Sequence, residues 1–126
     1  MKLIMSKKIL IVEDDALMLE VMAYILISNG YEVFTLSNGN EVFNNIKLNH
    51  PDLVIIDSIL PGIGGLEMCQ LIKLNKTTRN LPVIMCTGDE EPTESLLKRT
   101  GAPDDVLEKP FDIKSLIQKV EYQLAA

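Results

Sequence analysis

The 126-residue chain is poor in the side chains that build metal and redox centres, with one histidine, His50, and two cysteines, Cys69 and Cys86. The cysteines have no ligand-like spacing and match no oxidative framework. Both read as reduced core thiols, because disulfides are rare inside cells. His50 precedes Pro51 and reads as a helix-end residue, a place the helix dipole favours. Basic residues are also scarce: twelve Lys+Arg face eighteen Asp+Glu, for a net charge of -6. Phosphate-backbone binding needs a basic face, so nucleic acid is not expected as the main ligand. The longest apolar runs are a few residues, against the roughly 20 that a membrane helix requires. The stretch from Met1 to Lys8 is basic like the start of a signal peptide. However, the apolar segment Ile9 to Val12 is too short for an h-region and runs into Glu13. A cytoplasmic protein without membrane contact is therefore expected. No internal repeat or low-complexity tract is present.

What is present is globular: 47% hydrophobic and 24% charged residues, enough for a core without a disulfide or metal staple. One domain over residues 1–126 is expected, with 1–6 a short disordered or extended N-terminus and no separate output domain. Short β-rich runs alternate with helical patterns. Ile9–Val12, Tyr31–Leu36, Leu53–Ile56, Pro82–Cys86 and a weaker Asp105–Glu108 are predicted strands. Helices are predicted over Ala16–Asn29 with Gly30 behind it, Glu41–Asn49, Leu66–Asn75, Pro92 or Thr93 to near Gly101, and from the N-cap Asp112 to about Leu124. Pro61 to Gly65 is a predicted loop. The rhythm is (βα) five times, which implies a parallel sheet covered by helices on both faces.

In such sheets ligands bind beyond the carboxyl ends of the strands. Glu13, Asp14 and Asp15 follow the first strand, Asp57 the third, Thr87 the fourth and Lys109 the fifth. Each has an ordinary reading alone: a helix cap, a loop start, a strand end, a solvated charge. Together they make a rim of carboxylates that repel one another unless a cation is present. With no His or Cys beside them the ligand set is all oxygen, which suits Mg²⁺ before Ca²⁺. A carboxylate beside Mg²⁺ and a lysine is poised to attack a phosphoryl group, forming an aspartyl phosphate.

Four segments carry a resemblance. They are Ile9–Asp15, Asp52–Gly62 with Asp57 inside it, Val83–Thr87, and Glu108-Lys109-Pro110-Phe111. Their order and spacing resemble a response-regulator receiver domain over nearly the whole chain. The resemblance implies a flavodoxin-like doubly wound sheet of order 2-1-3-4-5. It implies Asp57 as phosphoacceptor, Asp14 as direct Mg²⁺ ligand (Mn²⁺ as substitute), Glu13 acting through water, and the Ile59 backbone carbonyl as a further ligand. Thr87 matches the switch hydroxyl and Lys109 the phosphate-binding lysine, with a cis Lys109-Pro110 bond. Asp15 lies one place past the acidic pair and stays outside the site.

The chain departs from the family pattern at Val106, where a Tyr or Phe ring is common, at Gly88, and at Gly64. Valine has no ring to trade between two positions. The resemblance implies that Ile59 and Asp89 flank the path of the hydrolytic water. The resemblance also implies a histidine kinase or histidine phosphotransfer partner docking on helix 1. Met18, Val21, Met22 and Ile25 are assigned there to the core face, leaving Leu17, Leu19, Ala23 and Ile27 for the partner. The fourth helix, fifth strand and fifth helix would face a downstream protein. The expected function is a phospho-accepting switch or relay intermediate, monomeric or weakly dimeric, with no enzymatic activity beyond self-phosphotransfer and slow self-dephosphorylation. A phosphorylation-independent interaction module is the alternative. A dehalogenase-type phosphatase would need a second Asp where Ile59 stands.

Overall fold

Continuous apolar runs can be buried only between two helical layers, and the chain folds accordingly. The computed structural model describes residues 6–88 and 91–125; the N-terminal expectation for 1–5 and that for Asp89 lie outside them. The order is β1 (Lys8–Val12), α1 (Ala16–Ser28), β2 (Glu32–Leu36), α2 (Val42–Asn49), β3 (Leu53–Asp57), α3 (Gly65–Leu74), β4 (Val83–Thr87), α4 (Thr93–Leu97), β5 (Asp105–Glu108) and α5 (Ile113–Leu124). The strands are parallel in the order β2-β1-β3-β4-β5, as expected from the sequence.

The period-two alternation of each strand sorts the core into two layers. Leu10, Val12, Val54, Ile56, Val83 and Met85 meet Val42 of α2, Met68 and Ile72 of α3, and Leu96 of α4. On the other face, Ile9, Ile11, Leu53, Ile55 and Ile84 meet Met22 and Leu26 of α1 and Leu116 and Val120 of α5. Each fully buried Ile or Leu stabilises the fold by about 1.5–3 kcal/mol. Cys69 and Cys86 belong to opposite layers, so the sheet lies between them. Burial pushes both thiols up to about 12.

Three sequence expectations need correction. Helix α4 stops at Leu97 rather than near Gly101. The carbonyls of Thr100 and Gly101 instead accept from the Gln70 side chain and the Cys69 thiol of α3, and Gly101 adopts φ 72°. Strand β3 runs one residue further than predicted and β4 is shifted one residue onward, to Val83–Thr87, because Asp57 pairs with Cys86 and Thr87 with Glu108. On α1, Leu19 and Ala23 are half-buried against the core, whereas Val21, assigned to the core, is 44% exposed. That helix is apolar almost all round, so its period alone did not choose the buried stripe. Smaller boundary shifts occur at β1, α1, β2, α2 and α3, each by one residue.

Candidate functional site

The order 2-1-3 reverses direction between β1 and β3, so α1 and α3 leave on opposite faces and a crevice opens at those strand ends. The acidic residues stand there. Glu13 extends β1, its N–H donating to the Leu36 carbonyl at 3.0 Å, and its side chain is only 2% exposed. Asp14 is exposed, and Asp57 ends β3, 8% exposed. Carboxylate oxygens of Glu13, Asp14 and Asp57 all lie within 4.8 Å of one another. Asp15 instead caps α1, its Oδ1 accepting from the Met18 N–H at 3.0 Å. Its exclusion from the cluster thus has a structural reason.

Lys109 reaches the cluster from the end of β5. Its Nζ donates to Glu13 Oε1 at 2.8 Å and to Asp57 Oδ2 at 3.1 Å. Its own N–H donates to the Thr87 carbonyl at 2.6 Å, which locks the ends of β4 and β5 together. The Lys109-Pro110 bond is cis. Desolvation works against the ammonium, but the hydrogen bonds and charges of Glu13 and Asp57 outweigh it and hold its pKa above the ordinary lysine value. Lys109 therefore stays charged well beyond neutral pH. One ammonium faces three carboxylates, which leaves an excess of negative charge. A hard, oxygen-seeking dication fits this donor set.

Thr87 ends β4, 4% exposed, and its Oγ1 has no hydrogen-bond partner among the described residues. It borders a mostly apolar cavity of about 120 Å³, lined in part by Ile59, Leu66, Met85 and Leu96. Val106 is buried in the same core layer as Met85 and Leu96. Ile59 donates its N–H to Asp57 Oδ1 at 3.4 Å, and its side chain is 62% exposed.

Sequence reasoning missed Gly65. A Cβ there would lie 1.7 Å from the Asp57 carbonyl oxygen and 2.9 Å from Ser58 Cα. The first turn of α3 thus presses directly on the backbone that carries Asp57. Only the doubled glycine, Gly64-Gly65, hinted at this approach.

The response regulator receiver domain family matches residues 9–121, most of the chain. The protein belongs to that family. A phosphate regulon transcriptional regulatory protein PhoB of Klebsiella pneumoniae is 36% identical to this receiver over 93% of its chain, which spans 51% of the PhoB sequence. PhoB of Rhizobium meliloti is 34% identical over 95% of this chain and 53% of its own. The receiver therefore spans about half the length of these curated relatives. Among solved structures, a response regulator from Chloroflexus aurantiacus superposes with a TM-score of 0.88 at 32% identity, covering 97% of this chain and all of the other. Receivers are phospho-accepting switches of two-component systems, and they bind Mg²⁺ at an acidic cluster. No helix among the described residues is long and apolar enough to cross a membrane.

Proposed function

We propose that this receiver takes a phosphoryl group from a phosphohistidine protein onto Asp57 and signals by protein contact. The observation that carries the reading is Lys109 bonded at once to Glu13 and Asp57, within an acidic triad. An Asp57 carboxylate oxygen attacks phosphorus, a P–O bond forms, and the P–N bond to the donor imidazole breaks. Glu13, Asp14, Asp57 and the Ile59 carbonyl would hold the Mg²⁺, Glu13 largely through water. When bound, the ion neutralises charge on the transferring oxygens. Lys109 pairs with the same oxygens, and the Thr87 hydroxyl donates to one of them. The test is intact-mass spectrometry with acetyl phosphate and Mg²⁺: one added phosphoryl group is expected, and none when a chelator removes the metal. A metal-independent adduct would sink the proposed ligand set.

Thr87 separates stability from signalling. A buried hydroxyl without a partner costs about 1–3 kcal/mol, so Thr87→Val should stabilise the free protein by about 1 kcal/mol. The same change should weaken beryllofluoride binding in Mg²⁺, because the donor is gone. Melting curves with and without beryllofluoride read both effects. A Thr87→Val protein that melts lower than the parent would show that the hydroxyl is already satisfied.

Ile59 presents a branched apolar side chain that orients no water. Ile59→Asn should therefore dephosphorylate faster, by about tenfold, the size of a modest gain in water positioning. Equal decay rates of the two phosphoproteins would refute this role.

On α1 the partner-facing stripe is revised to Leu17, Val21, Tyr24 and Ile27, all strongly exposed. Spacings of four and three place most of them on one face, ready for a kinase or phosphotransfer helix. The downstream protein is assigned to the α4-β5-α5 face. With Val106 buried and ringless, movement of Thr87 reaches that face through β4 and α4 packing rather than through an aromatic switch.

A further inference from the structure

Glu13 is the most deeply buried member of the acidic cluster, and both of its oxygens are held. Oε1 accepts from Lys109 Nζ at 2.8 Å, and Oε2 accepts from the backbone N–H of Asp15 at 3.1 Å. The lysine alone leaves the carboxylate free to pivot, because the same Nζ also donates to Asp57 Oδ2. The Asp15 N–H supplies the second point that fixes the plane of the Glu13 carboxylate. Hydrogen bonds to a charged acceptor are stronger than neutral ones, so this one is well suited to orienting it.

The direction of that N–H is set by the rest of Asp15. The residue is the N-cap of α1, with extended backbone at φ -78° and ψ 110°. Its Oδ1 accepts from the Met18 N–H at 3.0 Å, and its carbonyl accepts from the Leu19 N–H at 2.9 Å. Two residues earlier, the Glu13 N–H donates to the Leu36 carbonyl at the end of β2. Asp14 is therefore suspended between an anchor on the sheet and an anchor on the helix. The Asp15 side chain ties the helix anchor while standing outside the acidic cluster itself.

We propose that Asp15 is a positioning residue for the divalent cation: by capping α1 it aims its own N–H at Glu13 and frames Asp14, and so sets the affinity of the site without touching the ion. The inference rests on the Mg²⁺ site proposed above. Groups that orient a metal-binding carboxylate from behind are worth about 10–100-fold in affinity. Asp15 acts at one further remove, through its backbone, so the lower end of that range applies. A purely electrostatic role, the pull of one more exposed carboxylate on the cation, predicts a different ranking of variants. Asparagine caps a helix as well as aspartate does but carries no charge, and alanine neither caps nor carries charge.

The test titrates Mg²⁺ into the ¹⁵N-labelled full chain, without phosphodonor, at about 0.15 M salt, where exposed charges are well screened. Asp15→Ala should raise the Mg²⁺ dissociation constant about tenfold. Asp15→Asn should stay within about threefold of the parent, because the cap survives and the lost charge is screened. Solvent exchange of the residue-15 amide proton reads the bond to Glu13 without metal: it should be slow in the parent and in Asp15→Asn, and faster in Asp15→Ala. Melting curves identify a cap that is structural only. Such a cap would lower the melting temperature of Asp15→Ala and leave its Mg²⁺ constant unchanged, which would overturn the proposal. Asp15→Asn weakening the ion as much as Asp15→Ala would overturn it in favour of charge. Equal amide exchange in all three proteins would overturn it too, by showing that Glu13 is held without the cap. A parent that binds no Mg²⁺ would overturn the site reading and this inference together, whereas a parent that binds it beside an unaffected Asp15→Ala overturns this inference alone.

Discussion

Asp57→Asn abolishes phosphoryl uptake from acetyl phosphate, to the detection limit of intact-mass spectrometry, while the protein stays folded. An amide is no nucleophile toward phosphorus, so the loss should be complete rather than partial. The fold should hold for electrostatic reasons. Asp57 is one of three carboxylates whose oxygens lie within 4.8 Å, and removing one charge relieves their mutual repulsion. Asparagine has nearly the same volume, and its carbonyl oxygen still accepts from Lys109 or from the Ile59 N–H. A melting temperature equal to or above that of the parent would therefore accompany the loss of uptake. An Asp57→Asn protein that still gains a phosphoryl group would place the acceptor elsewhere and end the present assignment.

Gly65→Ala is the second large effect, and it arises from packing rather than chemistry. The added carbon would sit 1.7 Å from the Asp57 carbonyl oxygen and 2.7 Å from its carbonyl carbon. Both are backbone atoms of a buried strand, so no flexible side chain can swing away. The Gly65 N–H also donates to the Ser58 carbonyl at 3.0 Å, which ties the two segments at the point of contact. Overpacking costs about 1–3 kcal/mol, and a backbone clash of this depth belongs at the upper end. In a domain of this size the melting temperature should fall by about 10 °C. Relief by displacing Asp57 would also slow phosphoryl uptake. Urea denaturation and the acetyl phosphate reaction read the two consequences separately. An alanine variant with both unchanged would mean that α3 slides freely past β3, contrary to the contact.

The corrections share a physical origin. Leu19 and Ala23 looked available because α1 is apolar almost all round; only the position of the sheet and α5 settles which stripe is covered. Helix α4 looked longer because nothing in Thr93 to Thr100 forbids a helix. The carbonyls of Thr100 and Gly101 were claimed instead by Gln70 and Cys69, some thirty positions earlier. Gly65 passed for a loop residue because a glycine's local pattern does not reveal which backbone approaches it.

Local pattern was enough for the alternation of elements, the parallel sheet and the gathering of Glu13, Asp14, Asp57, Thr87 and Lys109 at strand ends. Continuous apolar runs of four or five residues rich in Ile and Val and bounded by polar or turn residues suit buried strands, and polar residues at their ends then share one rim. The sheet order, legible through the resemblance, follows the same framework. Tertiary structure alone decided how that rim is wired. Lys109 lies 96 positions from Glu13 and 52 from Asp57, and no local period encodes a bond across such distances. The same holds for the Thr87 hydroxyl, which has no partner among the described residues, the backbone pressed against Gly65 and the bare stripe of α1. Each depends on what a neighbouring element brings to the contact, and that is set only when all the layers have packed.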